Sequence, residues 1–238
     1  MSKNLTATQF LDELEDLQSE EEMDKYQRFF TFEKDKQSVQ DYFIGVRMGD
    51  VFKLAKKFIQ LPLSEIEKVL ESPIHEARVG AVSVMDWQAR SKRITEDQRK
   101  QLFELYLRRH DRINNWDIVD RSAPWVVGRY LIDKPRDVLY DLAKSQNIWE
   151  RRTAIVTTGF FIKQGEIKET FEIAKLLIKD QEDLIHKASG WMLRAAGDVD
   201  ETQLLVFLEK YAHDMPRIQL RYAMEHLTKE QKEHFRTL

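Results

Sequence analysis

Residues 148–162, IWERRTAIVTTGFFI, decide how this chain folds. The run is apolar nearly throughout, yet it opens on the adjacent pair Arg151 and Arg152. A segment of this length without proline reads as a buried helix whose wet face is narrow. Arg151 is followed three positions later by the small Ala154, and the same pairing of a basic with a small residue recurs. Lys187 precedes Gly190 in HKASGWMLRAAGD (186–198), and Arg78 precedes Ala81. These basic residues stand 73 and 36 residues apart, so the larger gap is close to two of the smaller. The missing member falls near residue 115, where NNWDIVDRSAPWVVGRYL (114–131) begins, and a shorter copy, MPRIQLRYAMEHL (215–227), surrounds Arg217. A period in the high thirties fits two antiparallel helices per unit, and such units bury their apolar faces only by stacking. The expected fold is all-α, a curved α-solenoid in which residues 1–238 form a single helical-repeat domain. An irregular single helical domain is the alternative.

Outward from that run the sequence stays helical. Apolar residues make up 42% and charged residues 33%, with only 8 Gly and 5 Pro, as expected of amphipathic helices with one wet face. Thr8 to Phe32 predicts one N-terminal helix, with Phe10, Leu11, Leu14, Leu17, Met23, Tyr26, Phe29 and Phe30 at helical spacing. Lys34 to Gln40 is polar and reads as a loop. In YFIGVRMGDVFKLAKKF (42–58), Gly45 and Gly49 bracket Arg47 ahead of an amphipathic helix carrying Val51, Leu54, Ala55 and Phe58. Pro62, Pro73, Pro124, Pro135 and Pro216 all fall where helices would start or stop. No segment alternates strictly, so no sheet is expected.

Cysteine is absent, which excludes disulfides and thiolate metal sites. The charge-free stretch Thr153 to Ile162 is too short to span a bilayer, and MSKNLTATQF lacks a signal pattern. The expectation is a soluble cytoplasmic protein with no membrane partner. The six histidines never fall at metal-ligand helical spacing, and no phosphate loop, dinucleotide fingerprint or nucleophile elbow is present. No metal and no cofactor are therefore expected, and an enzyme built this way works with carboxylates, arginines and aromatics. Net charge is −3, mild evidence against a nucleic-acid partner, although a basic face can coexist with an acidic remainder. The basic run Arg90 to Arg112 taken alone reads as a solvated helix face.

Trp116 and Asp120 are four apart, so on a helix they share a face one turn apart. Taken alone, the pair reads equally as a core tryptophan and a capping aspartate. Pro124 ends or kinks that helix, and Ser122 is placed to cap a following one. Arg151 and Arg152 cannot both avoid the packed region of their helix. Trp191 and Arg194 share a face, with the small Ala188, Ser189 and Gly190 leaving room beside the indole. Each segment is the second helix of an expected repeat, the layer that lines a solenoid's concave surface. Trp116, Asp120, Arg152 and Trp191 are thus expected to converge from three successive repeats.

At these residues the sequence resembles a family. Trp116-Asp117-Ile118-Val119-Asp120, with Pro124 following, resembles the W-D-x-V-D segment of the bacterial alkylpurine DNA glycosylases built from HEAT-like repeats. Ile148 to Ile155, with Arg152 and Ala154, resembles that family's arginine segment, and His186-Lys187-Ala188-x-Gly190-Trp191-x-Leu193-Arg194 its K-A-x-G-W-x-L-R segment. Order and spacing agree over roughly Tyr26 to Leu227. The resemblance implies HEAT-like antiparallel helix pairs with a concave DNA-binding face. It also implies a monofunctional DNA N-glycosylase, a hydrolase acting in alkylation repair on double-stranded DNA with alkylated bases. Asp120 would be the catalytic carboxylate and Trp116 and Trp191 would flank the lesion nucleotide. Arg152, Arg194, Arg47, Lys187 and Tyr26 would belong to the DNA-binding set. Two departures stand out: Lys34 to Gln40 looks like an insertion after Tyr26, and Asp183-Leu184 occupy positions where the family carries aromatics. A non-catalytic helical-repeat module binding DNA or a protein is the competing reading. With no self-complementary apolar strip, a monomer is expected.

Overall fold

Capping side chains and prolines set where the helices of this chain begin. The computed structural model describes residues 5–30 and 42–237. Thr6 opens α1 (Ala7–Glu15) with a reciprocal capping box to Gln9. α2 spans Glu20–Phe30 and α3 Met48–Lys57. Pro62 stands at the N-cap of α4 (Leu63–Leu70), and α5 (His75–Arg90) begins two residues beyond Pro73. Thr95 and Gln98 form the capping box of α6 (Glu96–Arg108), and α7 covers Trp116–Ala123. A π-helical turn, Pro124–Gly128, follows and leads into α8 (Arg129–Leu131). Next come α9 (Asp137–Leu142), α10 (Ile148–Lys163, capped by Asn147), α11 (Lys168–Leu176) and α12 (Asp183–Gly197). Asp200 caps α13 (Glu201–Tyr211), Pro216 precedes α14 (Arg217–Ala223), and α15 spans Lys229–Thr237. Among the described residues there is no strand, only a parallel bridge between Tyr42 and Ile74. The expected all-α class holds.

Two local expectations are corrected. The N-terminal helix expected over Thr8 to Phe32 is broken at 16–19 into α1 and α2. The sequence Ser19-Glu20-Glu21-Glu22 is itself a helix start, with the Ser19 hydroxyl accepting from the Glu22 amide and three acids in the first turn facing the positive helix end. Leu17, counted on the buried stripe, is consequently exposed. Ser122 does not cap a following helix; its hydroxyl donates to the Ile118 carbonyl at 2.7 Å. As expected, α7 ends at Ala123 where Pro124 follows. Lacking an N–H, it opens the five-residue π turn, in which the Arg129 amide reaches back to the Pro124 carbonyl. The loop expected at Lys34 to Gln40 lies outside the described residues.

The chain packs as two compact units, Met1–Ser122 and Ala123–Leu238. In the first, α3 and α4 pack on α5, α1 lies on α3 and α4, and α4 on α6. Phe10, Leu14, Phe58, Ile66 and Leu70 fill its core, with Phe10 and Phe58 edge to face at 5.2 Å. In the second unit α10 packs on α12 and α12 on α14, while α9, α11 and α13 lie against these helices. In the second unit α10, α12 and α14, which begin at residues 148, 183 and 217, touch in succession, the packing that a repeat near 36 residues requires. No helix among the described residues is long and apolar enough to cross a membrane.

Candidate nucleic-acid interface

In the first unit, α7 carries Trp116 and Asp120, both half-buried. Two polar contacts fix α7 against α5. At its first turn the Asp117 carboxylate meets the buried His75 ring, Oδ2 to Nε2 at 2.7 Å. One turn later Arg121 reaches the Ser83 hydroxyl at 3.1 Å and the fully buried Asp86 carboxylate at 3.1 Å. Asp86 also takes a two-pronged contact from Arg90, at 2.8 and 3.0 Å. Burial pulls the Arg121 guanidinium down from its ordinary value, and the Asp86 charge opposes that shift. Its planar cation also lies over the rings of Phe52 and Trp87, at 4.7 and 5.4 Å. Trp116 and Asp120 therefore stand on a turn of helix whose two ends are pinned to a neighbour.

Beside the Asp117 contact sits an aromatic row. Tyr26 on α2 donates its hydroxyl to the Val46 carbonyl at 2.8 Å and stacks on Phe43, which in turn lies 4.7 Å from the His75 ring. Burial above all, with the negative fields of Glu76, Glu22 and Asp117, pushes the Tyr26 phenol up, so it is a neutral hydroxyl. The segment carrying its acceptor is held by Glu76. This buried carboxylate accepts from the successive amides of Ile44, Gly45 and Val46, at 2.9 to 3.3 Å. Gly45, at φ +77, permits that curl, and a Cβ there would press on the Ser19 carbonyl and lie 2.9 Å from the Met23 amide. Arg47 follows as the exposed N-cap residue of α3.

The second unit holds the remaining expected residues. Arg152 on α10 is 5% exposed, and its Nη1 donates to the Leu184 carbonyl at 2.5 Å, in the first turn of α12. Leu184, Lys187, Trp191 and Arg194 then follow one another at helical spacing along α12. The last three are half-buried, and Arg194 pairs with Glu225. Arg152 is thus part of the packing between α10 and α12, whereas Lys187, Trp191 and Arg194 form a partly wet stripe. The structure brings Trp116 and Asp120 together with Tyr26's neighbourhood in one unit, and Arg152, Lys187, Trp191 and Arg194 together in the other.

Sequence reasoning passed over His75, Glu76, Asp117 and Arg121. His75 was weighed only as a metal ligand, although a buried histidine at a helix start also suits a carboxylate partner. Asp117 lies three residues before Asp120 on α7 and Arg121 beside it, and that proximity was the available signal. The end of the Arg90 to Arg112 run, expected as a solvated helix face, instead makes structural contacts. Arg108 meets Glu67, Arg109 meets Glu67, Glu71 and Asp111, and Arg112 donates to the carbonyls of Leu70, Glu71 and Ser72. Among the described residues no group of three or more histidine and carboxylate side chains is placed to hold a metal ion.

The packed helices define a class of all-helical, repeat-like proteins. The profile of the DNA alkylation repair enzyme family matches residues 10–227, and the chain belongs to that family. Among solved structures, one described as "Predicted DNA alkylation repair enzyme from Enterococcus faecalis" shares the fold. It is 16% identical, with a TM-score of 0.72, covering 89% of this chain and 97% of that one. No curated protein sequence matches the chain significantly.

Proposed function

We propose that the protein is a monofunctional DNA N-glycosylase that removes cationic purines, of the N3-methyladenine and N7-methylguanine class, from double-stranded DNA. The single observation that carries this reading is the half-buried Asp120, one turn from Trp116 on a helix pinned at Asp117 and Arg121. A purine alkylated at N3 or N7 is positively charged and leaves readily. As its bond to the sugar breaks, the bonding electrons neutralise the base and the positive charge develops on deoxyribose. A fixed carboxylate stabilises that charge and orients a water, whose oxygen bonds to the sugar carbon while its proton passes to the carboxylate or solvent. The products are a neutral free base and an abasic site, and the base needs no acid catalyst. The electron-rich face of Trp116 favours the cation by about 0.5–2 kcal/mol. In the second unit, Lys187, Trp191 and Arg194 offer cations and an indole to the nucleic acid, and Arg152 keeps α12 in place. The Arg194 fork retains further donors for phosphate beyond its Glu225 contact.

Membership of an alkylation repair family supports a DNA substrate, and the chemistry of Asp120 supports glycosidic hydrolysis. The protein would act as a cytoplasmic monomer. The test is release of modified base from methylated duplex DNA by wild type and Asp120→Asn. The variant, matched for melting temperature, is expected to lose roughly 10²–10³-fold in single-turnover rate, the scale of one removed electrostatic contact in a transition state. A wild-type protein that binds methylated DNA and releases no base overturns the enzymatic reading.

A further inference from the structure

The second unit ends in a basic hollow of about 350 Å³ between α14 and α15 that the residues above do not include. Its floor is apolar, formed by the buried Leu220 and Met224, and its rim carries Arg217, Arg221, Lys232 and Arg236. Arg217 and Arg221 are four apart on α14, and Lys232 and Arg236 four apart on α15. Like charges at that spacing sit about 5–6 Å apart and destabilise a helix. Here two such pairs face a single cavity. Among the described residues, Arg217, Arg221 and Lys232 have no carboxylate partner. Arg217 donates only to the Arg236 carbonyl at 3.3 Å and Lys232 to the Glu225 carbonyl at 2.9 Å, while Arg236 has a long contact with Glu233 at 3.5 Å. Glu225 is the one acid among the described residues lining the hollow, and Arg194 engages it. Among the described residues, four cations thus face one lining carboxylate that is itself paired, in a chain whose net charge is −3.

We infer that this hollow is a subsite for the phosphodiester backbone of duplex DNA, away from the base that reacts. A pocket for a small free phosphate would enclose its cations, but Arg217, Arg221 and Arg236 are exposed and line a rim in two rows. Two rows of cations suit a string of anions, and an apolar floor suits the carbon face of the sugars between them. The Arg194–Glu225 pair makes the hollow continuous with the stripe of Lys187, Trp191 and Arg194 on α12, so one strand can run along both. Contacts of this kind set register and affinity without reading sequence. The inference rests on the DNA reading above and adds a place where the strand is held.

The test is the salt dependence of binding to an unmodified labelled duplex, by fluorescence anisotropy. The variant Arg221→Gln/Lys232→Gln removes two phosphate contacts, so the slope of log K against log salt should shrink by about 1.8, at about 0.9 per contact. Arg221→Lys/Lys232→Arg should keep the wild-type slope, which separates charge from folding. Equal slopes for the Gln variant and the wild type overturn the subsite, including when inorganic phosphate binding is lost. A wild-type chain that binds no duplex overturns it together with the DNA reading. A reduced slope in a protein that releases no modified base leaves the subsite standing and removes only the glycosylase reading.

Discussion

Glu76 places its carboxyl group at a position with no solvent exposure, and three backbone amides stand in for the water it has lost. Its value to the site is indirect: it curls the segment that accepts from Tyr26 and delivers Phe43 onto His75. In Glu76→Gln one carboxylate oxygen becomes an NH₂ facing N–H donors. The expected cost is about 1–3 kcal/mol, read from chemical denaturation, because a buried donor is left unsatisfied. Asp117 and His75 form a second such pair, and here too the sequence showed the residue types but not the partnership. Forty-two positions separate the two side chains of that contact in the chain, and only packing of α5 against α7 closes the gap. Trp116, Asp120, Trp191 and Arg194 were legible because they lie in short motifs with fixed helical spacing.

At the scale of elements, the repeated basic residue is a loop clamp at two of its positions, Arg78 and Arg151. Arg78 donates to the carbonyls of Ser72 and Pro73 at 3.1 Å, and Arg151 to those of Ser145 and Gln146 at 3.0 and 3.1 Å. Both reach back five and six residues, to the turn that joins the two helices of their pair. Arg151 adds a two-pronged contact to Asp180, at 2.6 and 3.2 Å, in the turn before α12. Among the described residues Lys187 and Arg217, at the same place in the pattern, make no such clamp, so the period was visible while its mechanism was not. The small residue of the pattern matters for close packing. A Cβ on Gly190 would lie 2.5 Å from the Gln219 carbonyl and 2.6 Å from the Tyr222 Cβ, forcing α12 and α14 apart. Gly190→Ala should therefore destabilise the protein by about 1–3 kcal/mol, measured by thermal melting, since the obstructing atom is backbone. Gly49, with open space around its Cβ position, is the control: its replacement by alanine should be neutral or stabilising.

For the molecule as a whole, stability should fall on the acid side. Hydrogen bonds from Arg109 chiefly hold the Asp111 carboxyl below its usual 3.8, and the Ala7 amide, then Lys68, lower Glu65 from 4.5. A group lowered in the native state leaves the unfolded chain holding more protons in the window between the two values, so stability rises with pH there. The contribution is present in full above those usual values and is lost as pH falls through the lowered ones. Melting temperatures taken from pH 7 to pH 3 should decline most below about pH 4, and Arg109→Gln should flatten that limb. An unchanged acid limb in the variant would remove Arg109 as its cause. The sequence alone determined the helical class, the helix starts at Pro62 and Pro216, the repeat and the motif positions. All of these depend on neighbours within a turn or two, where periodicity and backbone chemistry act directly. Only the tertiary structure decided that Glu76 holds the 44–46 amides, that Asp117 meets His75 and that α14 and α15 face their cations into one hollow. Periodicity says which side of a helix turns inward; which partner waits there depends on the packing of segments far apart in the chain.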